Sequence, residues 1–221
     1  MALKKMVRKL NWQLYVAALL ITIIVFGSGL WVGIQIEKGV TAGVDARIAE
    51  VRQRSLSVET MLLMEESPQF CSFFVEEMNA FDSETYDLGQ KIGYMEDRGQ
   101  VEPQLKADYM MLELRDYLLL LRVSKRCNMT SNVILYFLSS TDCASCRQQG
   151  DEITKARQGT SVRVYSFDMA INSTAISAFQ RSYNVTMYPT LIINGNKFSG
   201  LMTAKDISAN LQKNVLVVEY G

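Results

Sequence analysis

Histidine is absent from this chain of 221 residues. That one absence removes Ser-His-Asp and Cys-His catalysis, histidine-ligated metal centres and histidine pH switching. Net charge is missing too: 23 Lys and Arg balance 23 Asp and Glu, so no global basic field is available to hold nucleic acid. There is no Gly-rich phosphate loop, internal repeat or low-complexity segment. Covalent chemistry therefore falls to Cys, carboxylates, Lys or Tyr. Apolar residues are plentiful, at 48% of the chain, enough at this length for one or two domains with a real core.

Leu10 to Ile36 carries no charged residue and is flanked by Lys9 and Glu37. A stretch of about 20 apolar residues spans a bilayer as a helix. Trp12 and Tyr15 near one end and Trp31 near the other suit the two interfaces. Lys4, Lys5, Arg8 and Lys9 precede the span, so the excess of positive charge puts the N-terminus in the cytoplasm and the rest of the chain outside it. The expectation is a basic cytoplasmic segment over 1–9 and a single-pass signal anchor over 10–36. The alternative is a signal peptide cleaved after Val40-Thr41-Ala42, although the apolar stretch exceeds the usual core of about 7–15 residues. Gly29-x-x-x-Gly33 is a weak helix-dimerisation signal. The sequons at Asn128, Asn172 and Asn184 mildly support an exported location.

Beyond the span, Val44, Ile48, Val51, Val58 and Leu62 recur at a spacing of three to four, interrupted by Ser55, and predict an amphipathic helix ending before Pro68. Gln69–Ala80 reads as a second helix. A third runs from Ser83, as N-cap with Glu84 and Asp87 in its first turns, to Arg98 before Gly99. Pro103 suits the first turn of a fourth, which carries Leu105, Tyr109, Leu112 and Leu118–Leu121. Residues 40–126 are thus expected to form a small all-α domain.

From Cys127 the texture changes, and 127–221 reads as α/β. Val133–Leu138 is a buried strand, Cys143–Arg157 a helix, Val162–Phe167 a strand and Ser173–Tyr183 a helix. Thr190–Ile193, the Asn194-Gly195 turn and Lys197–Ser199 form a hairpin, and Thr203–Lys213 a last helix. Val215–Val218 is a candidate extra strand. Within this run, Cys143-Ala144-Ser145-Cys146 follows the first strand directly, and Tyr188-Pro189-Thr190 opens a later one. Two cysteines three apart at a helix start suit thiol–disulfide exchange, because unpaired helix amides lower a thiol pKa and the second sulfur can close on the first.

These motifs and the order β-α-β-α-β-β-α make residues 131–214 resemble the thioredoxin-like superfamily. More narrowly, the chain is similar to small archaeal membrane-anchored thioredoxin-fold proteins with a helical segment before the core, in overall texture and in phrases such as Val164-Tyr165-Ser166-Phe167-Asp168. The fold class expected is therefore α/β, a thioredoxin-like fold preceded by one transmembrane helix and a small all-α domain. The resemblance makes Cys143 the exposed attacking nucleophile and Cys146 the buried resolving sulfur. It makes Pro189 a cis-proline facing the disulfide, and has Tyr188 present its backbone to an extended substrate.

The chain departs from the family in three respects. Neither Gly-Pro nor Pro-His lies between the cysteines. Phe137 stands where thioredoxins carry a buried acid. Asp142 should raise the Cys143 pKa while Arg147 and the helix end should lower it. The function implied is a membrane-anchored, extracytoplasmic protein thiol–disulfide oxidoreductase. Its partners would be exported cysteine-containing proteins and a membrane redox partner, with no cofactor and no nucleic acid; oxidase, isomerase and reductase directions all fit. The rival is a non-catalytic adaptor or chaperone module with structural disulfides. Cys71 and Cys127 are expected to form a structural disulfide between the two parts, and the alternatives are a second redox pair, two buried thiols or a zinc site shared with Cys143 and Cys146.

Overall fold

The computed structural model describes residues 12–63 and 70–213. The expected strand at Val215–Val218 and the basic segment 1–9 lie outside the described residues. The backbone divides into two units, 1–45 and 46–221.

The described part of the first unit, residues 12–45, is the start of α1 (Trp12–Leu63), whose later residues belong to the second. Its Tyr15–Ile34 stretch has a mean hydropathy of 2.3 and is long and apolar enough to cross a membrane. A helix satisfies its own backbone hydrogen bonds, which is what hydrocarbon demands.

In the second unit the rest of α1 is followed by α2 (Phe70–Glu96) and α3 (Pro103–Cys127). The expected break between two helices near Ser83 is absent: α2 is continuous. Phe74, Met78, Phe81, Thr85, Leu88, Ile92 and Met95 are all buried at alternating spacings of four and three. This stripe runs straight through Ser83, which is exposed, and its burial outweighs a local capping signal. The stripe on α1 is similar, with Ser55 buried in line with Val51 and Val58. Arg54 pairs with Glu84 on α2, and Arg115 on α3 pairs with Glu59 on α1 at 2.9 Å. At the end of α2, Gly99 adopts φ +65°, which only glycine takes freely, and the Gln100 amide closes back on the Met95 carbonyl at 3.0 Å.

The strands β1 (Val133–Leu138), β2 (Arg163–Asp168), β3 (Thr190–Ile193) and β4 (Asn196–Ser199) form one mixed sheet in the order β2-β1-β3-β4. β1 pairs parallel with β2 and antiparallel with β3, and β3 pairs antiparallel with β4. The helices α4 (Cys146–Arg157), α5 (Thr174–Ser182) and α6 (Ala204–Lys213) complete the unit. Successive strand residues point to opposite faces. Val133, Leu135 and Phe137 accordingly join a core with α2, α3 and α5, whereas Ile134 and Tyr136 join one that includes Ile153 of α4 and Ile207 of α6. Two covered faces explain why β1 is an unbroken apolar run. The first core includes Phe74, Met78, Leu114 and Tyr117 together with Tyr165 and Phe167, so apolar packing runs across the change of texture at Cys127.

Helix α3 also covers the free edge of β2, running antiparallel to it. In a parallel pair alternate amides point away from the partner strand. Two of those outward amides meet α3: Ser166 N–H donates to Glu113 Oε2 at 2.9 Å, and Asp168 N–H donates to Met110 Sδ at 3.0 Å. Lys106, one turn before Met110, takes the Asp168 carboxylate, and Asp116 accepts the Tyr165 hydroxyl at 2.6 Å. An exposed edge is a pairing hazard, and these side chains close it.

Candidate functional site

The site grows from the C-terminal end of β1. The buried Ser139 opens the loop that follows, and its Oγ accepts the Asp142 amide at 3.2 Å. The next amide, Ser140 N–H, donates to Asp168 Oδ1 at 3.0 Å. Asp168 pairs with Leu138 across β1 and β2, is only 1% exposed, and its Oδ1 also accepts the Ala170 amide. Burial works against its charge, but hydrogen bonds from Lys106 and Ser140 outweigh it and hold the carboxyl below its ordinary value. For Lys106 burial likewise works the other way, and the bonds to Asp168 and Glu96 hold its pKa up.

The loop delivers Cys143, which is bonded to Cys146 with the Cα atoms 5.4 Å apart. The expected helix start at Cys143 is corrected here: α4 begins at Cys146, and Cys143 lies ahead of it in a turn closed by the Cys146 amide on the Cys143 carbonyl at 3.3 Å. Cys143 is half-buried and Cys146 is buried. Ser145 stands at the N-cap without a side-chain capping bond, and its Oγ lies 4.0 Å from the Cys143 sulfur. Two buried polar side chains fix the start of α4. Tyr136 of β1 donates its hydroxyl to the Cys146 carbonyl at 2.6 Å, and burial pushes that hydroxyl's pKa up. Gln149 bonds both ways to Met202, its amide nitrogen reaching the carbonyl at 3.2 Å and its oxygen taking the N–H at 2.7 Å.

Pro189 arrives at the same end of the sheet. Thr190 pairs with Phe137, so the residue before it stands beside the start of the cysteine loop. The Tyr188–Pro189 bond is cis, and the Pro189 carbonyl accepts the Gly200 amide at 2.8 Å. Tyr188 is half-buried and its hydroxyl accepts Gln180 Nε2 at 2.8 Å. The neighbouring Met187 and Leu201 are 52% and 46% exposed. Phe137 has no exposure and packs on Phe167 and Phe179, with ring centroids 5.4 and 5.9 Å away. No acid stands at that position; the buried acid at this end of the sheet is Asp168, across from Leu138.

Cys71 and Cys127 form the second disulfide, with the Cα atoms 5.5 Å apart, joining the first turn of α2 to the last residue of α3. Lys106, in the first turn of α3, touches the Asp168 that holds the loop before Cys143. Cys127 lies 21 residues further along the helix, about 30 Å at 1.5 Å per residue. The two pairs therefore sit toward opposite ends of α3. Neither direct exchange between them nor a site using all four sulfurs fits that separation.

Sequence reasoning missed the acids on α3. Glu113 is 3% exposed and burial pushes its carboxyl up to about 8, although bonds with Ser166 and Tyr109 act against that rise. Asp116 is raised to about 6, again by burial, with the Tyr165 bond and the Arg163 charge opposing. The Tyr109 hydroxyl lies 2.9 Å from Glu113 Oε1 and 3.3 Å from the Thr85 carbonyl. Gly89 makes room for this arrangement, since a Cβ there would run into the Tyr109 hydroxyl. The three sequon asparagines, Asn128, Asn172 and Asn184, are all exposed outside the helices and strands.

Comparison with protein-family models, with curated proteins and with solved structures finds no match to this chain. The mixed α/β unit and its cysteine pair are therefore read on their own chemistry.

Proposed function

We propose that this chain is a membrane-anchored protein thiol–disulfide oxidoreductase of the thioredoxin-like kind, with its second unit outside the cytoplasm. The observation that carries the reading is the asymmetry of the Cys143–Cys146 pair. One sulfur-bearing residue is half-buried in a turn at the end of β1, and the other is buried at the first position of α4. The sheet order and the element order β-α-β-α-β-β-α support the thioredoxin-like assignment. The apolar stretch Tyr15–Ile34 supports the anchor, and the basic residues before it support an inside N-terminus.

In the reducing direction, the Cys143 thiolate attacks one sulfur of a substrate disulfide. A new S–S bond forms as the substrate bond breaks, and the displaced sulfur leaves as a thiolate that takes a proton. Cys146, deprotonated, then attacks the Cys143 sulfur and expels the second substrate thiolate. Two electrons have passed to the substrate and the Cys143–Cys146 disulfide has formed. The reverse sequence oxidises a substrate dithiol. Free amides in the first turn of α4 stabilise the thiolate ahead of them. The substrates are exported proteins with cysteines, and a membrane redox partner resets the pair.

A Cys146→Ser variant tests this, because it can attack but not release. Mixed disulfides through Cys143, absent from a Cys143→Ser/Cys146→Ser control, are expected on non-reducing gels. No adducts above that control would leave a tethered adaptor as the reading.

A further inference from the structure

The turn between α2 and α3 reaches the cysteine segment from both sides. Upstream, Asp168 holds the Ser140 amide of the loop leading to Cys143, and its other oxygen is 2.5 Å from Lys106 Nζ. Lys106 lies in the first turn of α3 and also pairs with Glu96, at the end of α2. The Asp168 backbone is fixed by the same helix through Met110. Downstream, Arg147, which directly follows Cys146, pairs its Nη1 with Asp97 Oδ1 at 3.1 Å. Asp97 belongs to the turn that ends α2. Residues 96, 97 and 106 thus hold residues 140 and 147, and the Cys143–Cys146 disulfide lies between.

We propose that the α2–α3 hairpin is a working part of the redox site. Lys106, acting through Asp168, is the positioning residue for the loop that presents Cys143, and Asp97 restrains the Arg147 charge beside the cysteine pair. This rests on Cys143 being the attacking sulfur. It gives the helical segment a role distinct from spacing or substrate capture: it tunes the thiol.

The two contacts act on that thiol with opposite sign. Without the Lys106 ammonium, the Asp168 carboxylate that holds the Ser140 amide loses its counter-charge at the end of the sheet where the Cys143 loop departs, and that uncompensated negative charge disfavours the Cys143 thiolate. Without the Asp97 carboxylate, the Arg147 guanidinium, four residues from Cys143, loses its counter-charge, and the thiolate is favoured. A merely structural role would not produce shifts of opposite direction.

The test is the pH profile of Cys143 alkylation by iodoacetamide. It is measured on the full chain in detergent, in a Cys146→Ser background, with Cys143 read by peptide mapping. Lys106→Met should move the midpoint up and slow alkylation at neutral pH about threefold, the effect of half a pKa unit on a thiol that is mostly protonated. Lys106→Arg should restore it. Asp97→Asn, at an exposed pair that does not endanger folding, should move the midpoint down and speed alkylation by a smaller factor. If Lys106→Met fails to fold, Asp97→Asn decides alone. An unmoved midpoint in Asp97→Asn, or shifts of the same direction in both variants, overturns the proposal. Alkylation needs no redox partner, so a chain that shows the opposed shifts but exchanges with no disulfide loses the proposed function and keeps the coupling.

Discussion

Cys71–Cys127 joins residues 56 apart and ties the start of α2 to the end of α3, while Cys143–Cys146 joins residues three apart at the start of α4. A bridge that closes a long loop strips much conformational freedom from the unfolded chain, on the order of 4 kcal/mol for this length in the loop-entropy model. By the same expression a bridge across three residues contributes only about 2 kcal/mol, so stability gives a weaker reason for it. The same bond therefore has two readings: at one end of α3 it is a staple, and at the other it is the reagent of the proposed exchange. Their surroundings agree. Cys71 and Cys127 flank an apolar core, whereas Cys143 sits among Ser139, Asp142, Ser145 and the helix amides.

The contrast breaks most severely at Cys143. Cys143→Ser should abolish exchange with a glutathione or peptide disulfide while costing no more than about 2 kcal/mol of stability. A large loss of stability with residual exchange would exchange the roles assigned to the two pairs. The converse variant, Cys71→Ser/Cys127→Ser, should lose stability on the order of 4 kcal/mol in denaturant titration. Its folded fraction should still exchange at the parent rate, and a loss of exchange in folded protein would make the second pair part of the chemistry.

A smaller effect comes from Glu113, whose carboxyl is raised to about 8 from an ordinary value of 4.5. A carboxyl raised on folding contributes stability that is fully present below its unfolded pKa and is lost as pH climbs through the folded one. Asp116, raised to about 6, adds to this in the acidic part of the range. Between pH 6 and 8 Glu113 is left as the main buried acid on α3, contributing a fall of up to about 1.4 kcal/mol per pH unit. Glu113→Gln should flatten that fall, with urea midpoints at pH 6 and 8 as the measure. An unchanged slope would mean that Glu113 is already ionised in the fold. The mildest change is Tyr136→Phe, which removes one hydrogen bond to the Cys146 carbonyl and should cost about 1 kcal/mol. A change in exchange rate beyond that loss would show that Tyr136 also orients the reagent end.

What could be read from the sequence follows from how each element is buried. β1 was legible because a strand covered on both faces is an apolar run, and the β3–β4 hairpin because Asn194-Gly195 fits one kind of turn. The cysteine loop and Pro189 were legible as motifs, and the structure brings both to one end of the sheet. Ser83 misled because a capping residue is a local signal, while the stripe from Phe74 to Met95 is held by partners distant in sequence. The polar face of α3 was illegible for a related reason. Lys106 and Glu113 at helical spacing read as a solvated surface until β2 supplies the amides and the carboxylate they meet. Asp168 alone left a trace, as an acid directly after Phe167 at the end of the sheet where the cysteine loop departs.

The most direct test of the central claim is the reduction of the Cys143–Cys146 pair at equilibrium. The full chain would be titrated in glutathione and dithiothreitol buffers, with Cys71 and Cys127 mapped separately. A working exchange site should titrate between about −120 and −300 mV, the range spanned by disulfide donors and reductants. A pair that stays oxidised below about −300 mV would be a structural bridge, and the chain would not be the oxidoreductase proposed here.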